Sequence, residues 1–316
     1  MDQDGMMASP ADAAKKKTAA GVIMLTLAAV IWGAAFSAQS VASEHIGPYS
    51  FNSMRFLLGA ATLLPVILIS DRRAARRGRC ARGDRRKLLA GGSLCGAALF
   101  LACYFQQCGI ARTGAGKAGF ITSLYIVLVP LLSLVFLKKR AGLPVWAGVG
   151  VALCGMYLLC AWEGGAVSAG DLYLLAAAAG FSVHILIIDR YSPHVDCLRM
   201  SCLQFFVAGV LALIPMLAVE RPAPADVLAA WQPIAYVGVC SCGMGYTFQM
   251  LGQRDVPAPV ASLLMSLESV FSALFAALLL HDFLQPRELL GSALMLTAVL
   301  VVQLWRPRRA CAQPPR

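Results

Sequence analysis

Residues 105–118 read FQQCGIARTGAGKA, and residues 248–261, which lie 143 positions further along, read FQMLGQRDVPAPVA. The two stretches share Phe, Gln, Gly and two Ala residues at matching places. The match continues without a gap, so that Ser123-Leu124 falls on Ser266-Leu267. The second half of the chain therefore repeats the first.

The composition is that of an integral membrane protein. Hydrophobic residues make up 59% of the 316 residues, charged residues make up 14%, and the mean hydropathy is +0.70. Soluble globular domains carry about 25% charged residues. One or two soluble domains of this length could not bury so much apolar surface behind so little polar surface, so this class is excluded.

Ten apolar segments are each close to the roughly 20 residues that cross a bilayer core. Short loops that are rich in Gly, Pro and charge join them. The pattern predicts an all-α integral membrane protein with ten transmembrane helices, five in a first repeat over 18–161 and five in a second over 171–305. The predicted helices lie near 18–42, 49–70, 88–110, 114–137, 143–161, 171–189, 197–218, 228–252, 256–280 and 286–305.

The basic residues predict the orientation of these helices. With the N-terminus inside, 22 of the 27 Lys and Arg residues lie on the inner side, 4 lie outside, and Arg55 lies within a helix. Cytoplasmic loops are enriched in basic residues, so both termini are expected in the cytoplasm, in a multi-pass protein of the plasma or inner membrane. A repeat of five helices then faces opposite ways in its two copies, and such inverted repeats are a signature of secondary transporters.

The membrane-flanking loops account for the net charge of +11. The run from Asp71 to Lys87 lacks interleaved aromatic residues, so we expect it to contact anionic lipid rather than nucleic acid. The apolar run after Lys15, Lys16 and Lys17 exceeds 20 residues. It is longer than the core of a secretory signal and is expected to remain as the first helix. The predicted partner is the lipid bilayer.

No pattern in the sequence predicts a cofactor or a metal. Most of the 11 cysteines fall inside predicted helices, where a free thiol behaves as a small apolar group. Cys240 and Cys242 have no His or carboxylate at ligand spacing, and no phosphate-binding loop of the P-loop type occurs. A transporter with this sequence is therefore expected to use a gradient rather than ATP.

Two charged residues lie within predicted helices. Glu268 is the carboxylate placed deepest in any of them, and polar groups at membrane depth default to functional sites. It is a candidate proton carrier or partner for a substrate amine, and the alternative is a structural carboxyl bonded to a neighbouring helix. Arg55 either holds a substrate carboxylate, reaches the lipid headgroups or pairs with Glu268. In the second half Gln204 stands in its place.

Further polar and aromatic residues complete the predicted substrate site. Gln106 and Gln249 are equivalent in the two halves, and they either contact substrate or join close helices. Aligning Phe36-Ser37 with Phe181-Ser182 places Gln39 opposite His184, and His184 is either a proton relay or a packed side chain. The aromatic candidates for the cavity wall, with core or interfacial packing as the alternative, are Trp32, Tyr104, Tyr125 and Tyr246.

Rows of small residues predict close contacts between helices. Gly148, Ala152 and Gly155 lie on one face of the fifth predicted helix, and Gly291 lies near the start of the tenth. Small residues let helix backbones approach closely. These rows are expected to form packing seams within the chain or the seam of a homodimer.

The order of these elements resembles the EamA family of the drug/metabolite transporter superfamily over about residues 18–305. The resemblance rests on Trp32-Gly33, on MRFLLG at 54–59 and on ASLLMSLESVF at 261–271. The Glu-Pro pair that is common in the family's ninth helix is Glu268-Ser269 here, and the Gly-Glu turn is His281-Asp282. The first departure removes the proline that would kink the ninth helix, whereas the second keeps a polar turn.

The resemblance implies a transporter that moves small metabolites, such as amino acids or drugs, by alternating access and often outward. The repeat leads to the same expectation, since two inverted halves would meet around a cavity near the midplane. A lipid or lipid-precursor flippase is the alternative. An intramembrane enzyme is not expected, because its His, Asp or Ser residues would cluster at catalytic spacing and the 4 histidines here are scattered.

Overall fold

In a computed structural model the chain folds into helices joined by short turns. The structure describes residues 10–76, 84–113, 115–138, 141–160, 168–280 and 286–304, and no strand occurs among them. The all-helical prediction is therefore confirmed for these ranges. The predicted turn at His281-Asp282 and residues 77–83 of the basic run lie outside the described residues.

The α-helices are numbered in chain order. They are α1 (Pro10–Ser43), α2 (Pro48–Arg76), α3 (Arg85–Thr113), α4 (Ala115–Thr122), α5 (Tyr125–Leu137), α6 (Leu143–Cys160), α7 (Ala169–Tyr191), α8 (Cys197–Pro215), α9 (Pro224–Ala229), α10 (Trp231–Tyr236), α11 (Thr247–Gln253), α12 (Ala258–Met265), α13 (Glu268–Leu280) and α14 (Pro286–Leu304). A 3-10 turn occurs at Ser192–His194. Wider π-helical turns occur at Met216–Glu220 and Val237–Tyr246.

Among the described residues, 7 helical stretches are long and apolar enough to cross a membrane. They are Lys16–Ser43, Pro48–Arg76, Arg85–Thr113, Ala118–Leu137, Ala169–His194, Cys197–Glu220 and Ala258–Phe275. Shorter apolar helices, Leu143–Leu158 and Leu289–Val302, stand at the places of the fifth and tenth predicted helices. At the eighth place α10, the Val237–Tyr246 π-helical segment and α11 follow one another.

The outer surface of these helices carries many large apolar side chains. Phe136 is 73% exposed and Ile23 is 60% exposed, whereas Glu268 and Arg55 are buried in the interior. Large apolar patches are rare on soluble monomers. An apolar exterior around a partly polar interior is the arrangement expected of a protein surrounded by lipid.

Two helices are interrupted at equivalent positions. The break between α4 and α5 falls at Ser123-Leu124, and the break between α12 and α13 falls at Ser266-Leu267. Neither break contains proline or glycine. The ninth predicted helix is therefore interrupted without the proline that the resemblance would place at Ser269. Tyr125 and Glu268 are the first residues after the two breaks.

The helices of one half pack against those of the other. Helix α2 contacts α8, α5 contacts α12, and α6 contacts α14. Helix α3 contacts α7 as α1 contacts α11, and α5 contacts α7 as α1 contacts α13. Under the repeat the α2–α8 and α6–α14 contacts are their own counterparts, and the contact of α5 with α12 is matched by that of α4 with α13.

The small-residue row on α6 is a packing seam inside the chain. A Cβ atom at Gly155 would lie 2.6 Å from the carbonyl oxygen of Gly291 and 2.9 Å from Met295 on α14. A Cβ atom at Gly148 would clash with the side chain of Val302 on α14. Close approach of the α6 and α14 backbones therefore requires glycine at these places.

Acidic side chains form polar contacts near both ends of α2. The Glu220 carboxylate accepts hydrogen bonds from the backbone N–H groups of Tyr49, at 2.9 Å, and Ser50, at 2.6 Å, and from the Ser50 hydroxyl, at 2.6 Å. At the opposite end of the same two helices, Nη2 of Arg199 lies 2.6 Å from Oδ1 of Asp71. Polar contacts thus join α2 and the α8 region at both ends.

Candidate functional site

A cavity with an empty volume of about 480 Å³ lies between the two halves. Of the ten residues that the sequence offers for the substrate site, those that line it are Trp32, Gln39, Arg55, Gln106, Tyr125, Tyr246, Gln249 and Glu268. The remaining lining residues are Ala35, Phe36, Thr122, Phe181, Ile185, Ser241 and Met265.

Glu268 is 5% exposed and lies at the first turn of α13. Its Oε1 atom accepts hydrogen bonds from the Tyr125 hydroxyl, at 3.0 Å, and the Ser123 hydroxyl, at 3.3 Å. Among the described residues no cation pairs with this carboxyl group. A carboxyl group on a cavity wall with hydroxyl donors as its partners can hold a proton or receive an amine.

Hydroxyl groups also join the two helix breaks to each other. The Oγ atoms of Ser123 and Ser269 lie 2.8 Å apart, and the Ser269 hydroxyl donates to the carbonyl oxygen of Gly119 at 3.4 Å. Residues at a helix break have carbonyl and N–H groups that the helix no longer pairs. The serine hydroxyls supply local partners, and they hold α4 and α13 together beside Glu268.

Arg55 is 2% exposed, so its guanidinium lies inside the protein and does not reach a lipid headgroup. Its Nη1 atom donates to Oε1 of Gln39 at 3.0 Å. The rings of Phe51 and Phe56 have centroids 5.1 and 4.7 Å from its Cζ atom. The Nε and Nη2 atoms have no hydrogen-bond partner in the described part of the chain, and no ion pair joins Arg55 to Glu268.

The second half repeats this contact with different residues. Nε2 of His184 and Oε1 of Gln204 lie 2.9 Å apart, at the positions equivalent to Gln39 and Arg55. His184 is fully buried and does not line the cavity. Its ring lies behind the cavity-lining Tyr246, with a centroid separation of 5.8 Å. The first half thus places a cation where the second places a neutral amide.

Trp32 and Tyr246 form an aromatic pair on the cavity wall. Their ring centroids are 4.8 Å apart, and the Tyr246 hydroxyl lies 3.7 Å from Sγ of Cys103. A Cβ atom at Gly245 would lie 2.8 Å from Nε1 of Trp32, so glycine at this position lets the indole approach the backbone. Nε1 of Trp32 is buried and has no hydrogen-bond partner among the described residues.

The two equivalent glutamines approach the cavity from different halves. Gln106 lies on α3 and Gln249 lies on α11, and both line the cavity. Oε1 of Gln249 is buried without a hydrogen-bond partner in the ranges described. The neighbouring Gln107, which the sequence did not single out, donates from Nε2 to the carbonyl oxygen of Gln39 at 3.0 Å. Gln107 therefore joins two helices, and Gln106 faces the cavity.

Tyr104 lies away from the cavity. Its ring stacks on that of Tyr49 with centroids 4.4 Å apart and an interplanar angle of 14°. The ring of Phe105 lies next to it, at 5.5 Å. Tyr104 belongs to an aromatic cluster near the N-terminus of α2, where the Glu220 carboxylate accepts hydrogen bonds from Tyr49 and Ser50.

Sequence reasoning missed the apolar part of the cavity wall. Phe36 and Phe181 line it from α1 and α7. The register that aligns Phe36-Ser37 with Phe181-Ser182 contained this signal. Ile185, Met265 and Thr122 carry no signal of their own, because residues of these types are ordinary in any buried helix.

The cavity wall carries groups of several chemical types. The described residues contain no group of three or more His, Cys, Asp or Glu that could hold a metal ion. One guanidinium, one carboxyl group, amides and aromatic rings converge on the same space. Such a set suits a small molecule that has both a polar and an apolar part.

Known proteins resemble this chain over most of its length. The EamA-like transporter family matches residues 19–161 and again residues 168–304. An uncharacterized transporter of Archaeoglobus fulgidus is 29% identical and covers 89% of this chain and 84% of its own length. The uncharacterized transporter YetK of Bacillus subtilis is 22% identical, with coverage of 90% and 87%.

A solved crystal structure also matches the fold. It superposes with a TM-score of 0.72 and covers 90% of this chain and 97% of its own. The sequences are 18% identical. This likeness shows a shared arrangement of helices.

Proposed function

The chain belongs to the EamA-like transporter family, and on that premise we propose that it is a gradient-driven carrier that moves small metabolites, such as amino acids or drugs, by alternating access. The family and its relatives indicate a multi-pass membrane transporter rather than an enzyme. The observation that carries the proposal is the cavity, whose polar wall contains equivalent residues from both halves.

Two inverted five-helix halves, related by a pseudo-two-fold axis, are part of this proposal. Three contacts between equivalent positions support it, because only residues close to a two-fold axis meet their own counterparts. These contacts join the side chains of Tyr125 and Glu268 at 3.0 Å, those of Cys103 and Tyr246 at 3.7 Å, and the ring centroids of Phe56 and Phe205 at 6.1 Å. The cavity would then lie on the axis.

The broken helices are the proposed moving parts. Transporters with repeated halves build their sites from discontinuous helices at the interface between the repeats. Here the break at Ser123-Leu124 and the break at Ser266-Leu267 lie beside the same cavity. A rocking motion of one half against the other would open this cavity to one side of the membrane at a time.

Glu268 is the proposed proton site. It lines the cavity, whereas His184 is packed against Gln204 behind the cavity wall. The other titratable groups on the wall are the Tyr125 and Tyr246 hydroxyls and the Arg55 guanidinium. An intramembrane carboxyl group that binds a proton and substrate in turn couples their movements.

Export is the proposed direction. With 22 of the 27 basic residues on one side, both termini would lie in the cytoplasm of a plasma or inner membrane. Cells maintain an inward proton gradient across such membranes. Exchange of an entering proton for an internal metabolite at Glu268 would therefore drive the metabolite outward.

Transport by the purified full-length protein in proteoliposomes tests this function. The vesicles are offered labelled amino acids, nucleobases and drugs, each with and without a pH gradient. We expect flux of at least one compound above that in protein-free vesicles, with a rate that the gradient increases. A complete lack of protein-dependent flux across the set contradicts the proposal.

A further inference from the structure

Arg55 carries an unmatched charge in the interior. In the described part of the chain it is the one Lys or Arg that is buried, and it lines the cavity. The side chain of Gln39 accepts from Nη1, whereas Nε and Nη2 have no hydrogen-bond partner among the residues that the structure describes. Leaving a buried charged group without partners is strongly unfavourable. This cost is removed when an anion binds.

The free atoms are the two that lie along one edge of the guanidinium. Nε–H and Nη2–H point in parallel and match the two oxygens of a carboxylate. Gln39 holds the opposite end of the group at 3.0 Å, and the rings of Phe51 and Phe56 lie 5.1 and 4.7 Å from Cζ. The guanidinium is therefore oriented before any ligand arrives, which lowers the entropy cost of binding.

We propose that Arg55 binds the carboxylate of the transported molecule through its Nε–Nη2 edge, and that this molecule is a monocarboxylate with an apolar body. The inference rests on the proposed carrier function and names its substrate class. The apolar body would lie against Trp32, Phe36, Phe181 and Tyr246, which line the same cavity.

The charge balance of the cavity favours one carboxylate over a phosphate or a dicarboxylate. The described wall offers a single permanent cation, Arg55, and also contains the carboxyl group of Glu268. A second negative charge on the ligand would find no second cation on the described wall, and it would lie close to the carboxyl group of Glu268. An amine on the ligand is compatible with Glu268, so both zwitterions and simple monoanions satisfy the proposal.

Four probes with one benzyl body separate these chemistries. They are phenylalanine, 3-phenylpropionate, 2-phenylethylamine and 3-phenylpropanol. Binding to the purified, detergent-solubilised full-length protein is measured by the rise in its melting temperature and by tryptophan fluorescence. We expect one or both carboxylates to bind more tightly than the amine and the alcohol.

Variants of Arg55 assign the effect to the guanidinium. Arg55→Gln places in the first half the amide that the second half carries at Gln204, so the protein is expected to fold. Arg55→Lys keeps the charge and loses the paired donors. We expect both variants to weaken carboxylate binding by roughly ten- to a hundredfold. Arg254→Gln, which removes an exposed cation outside the cavity, should bind like the wild type.

Three results overturn the inference: no binding of either carboxylate at millimolar concentration, unchanged binding by Arg55→Gln, or equal binding of the alcohol. Transport of the same probes separates this outcome from a failure of the proposed function. Flux of the amine or alcohol without carboxylate binding removes the inference and leaves a carrier. Carboxylate binding that depends on Arg55, without flux of any probe, keeps the subsite and contradicts the carrier.

Discussion

The Tyr125 hydroxyl donates a hydrogen bond to Oε1 of Glu268 at 3.0 Å, although the two residues are 143 positions apart. This separation equals the repeat length, so each residue holds the place of the other in the opposite half. Each is also the first residue after a helix break. The hydrogen bond therefore links the two interrupted helices at equivalent points, beside the cavity.

Glu268→Gln is expected to abolish the stimulation of transport by a pH gradient. Glutamine keeps the size of the side chain and an oxygen that accepts from Tyr125 and Ser123, but it does not exchange a proton in the accessible pH range. The measurement is flux into proteoliposomes with and without the gradient. A variant that keeps both its rate and its pH dependence would show that Glu268 is not the proton site.

Ser123→Cys combined with Ser269→Cys is expected to give a disulfide between α4 and α13. The two Oγ atoms lie 2.8 Å apart, so the two side chains already meet, and sulfur atoms at these positions need only a small shift to reach the roughly 2.0 Å length of an S–S bond. Oxidation should stop transport because the two halves can no longer separate at the breaks, and a reductant should restore it. Peptide mass spectrometry detects the bond, and each single variant serves as the control. Full activity of the oxidised double variant contradicts the rocking motion.

Gly155→Ala and Gly150→Ala on α6 are expected to change stability in opposite directions. A Cβ atom at Gly155 would lie 2.6 Å from the carbonyl oxygen of Gly291, whereas one at Gly150 meets nothing within 4 Å. Overpacking at Gly155 should cost about 1–3 kcal/mol. Better helix propensity at Gly150 should add up to about 1 kcal/mol. Thermal unfolding in detergent measures both, and equal effects would argue against the α6–α14 seam.

Glu220→Ala is expected to lower the thermal stability of the protein. The change leaves the N–H groups of Tyr49 and Ser50 without their acceptor at the start of α2. Loss of these charge-assisted bonds should cost about 1–3 kcal/mol. The matched control is Glu44→Ala, which removes an exposed carboxylate from the preceding loop and should have little effect. Similar melting temperatures for the two variants would mean that the cap does not stabilise α2.

The repeat register predicted more of the candidate site than single residues did. It paired Gln106 with Gln249 and Tyr125 with Glu268, and all four line the cavity. It also paired Gln39 with His184, but only Gln39 faces the cavity, because His184 turns to Gln204. Side-chain direction depends on packing between helices, which a register does not contain.

The helix breaks were beyond prediction for a different reason. Ser123-Leu124 and Ser266-Leu267 contain neither proline nor glycine, the residues that usually mark an interruption. The π-helical segment Val237–Tyr246 differs, because it contains Gly238, Gly243 and Gly245, so the sequence did carry a signal for an irregular helix there. The two breaks arise from contacts with neighbouring helices, whereas helix positions follow from local hydrophobicity.

The contact between Tyr125 and Glu268 has a consequence for how such a protein could have arisen. In an assembly of two identical chains, the residue on the symmetry axis meets a copy of itself. Two ionised glutamates there would repel each other, and two tyrosines would leave no carboxyl group in the cavity. Under the proposed two-fold relation of the halves, joining both in one chain lets a donor face an acceptor across the axis. Gene fusion would thus have made available a hydrogen bond that no homodimer of either half could form.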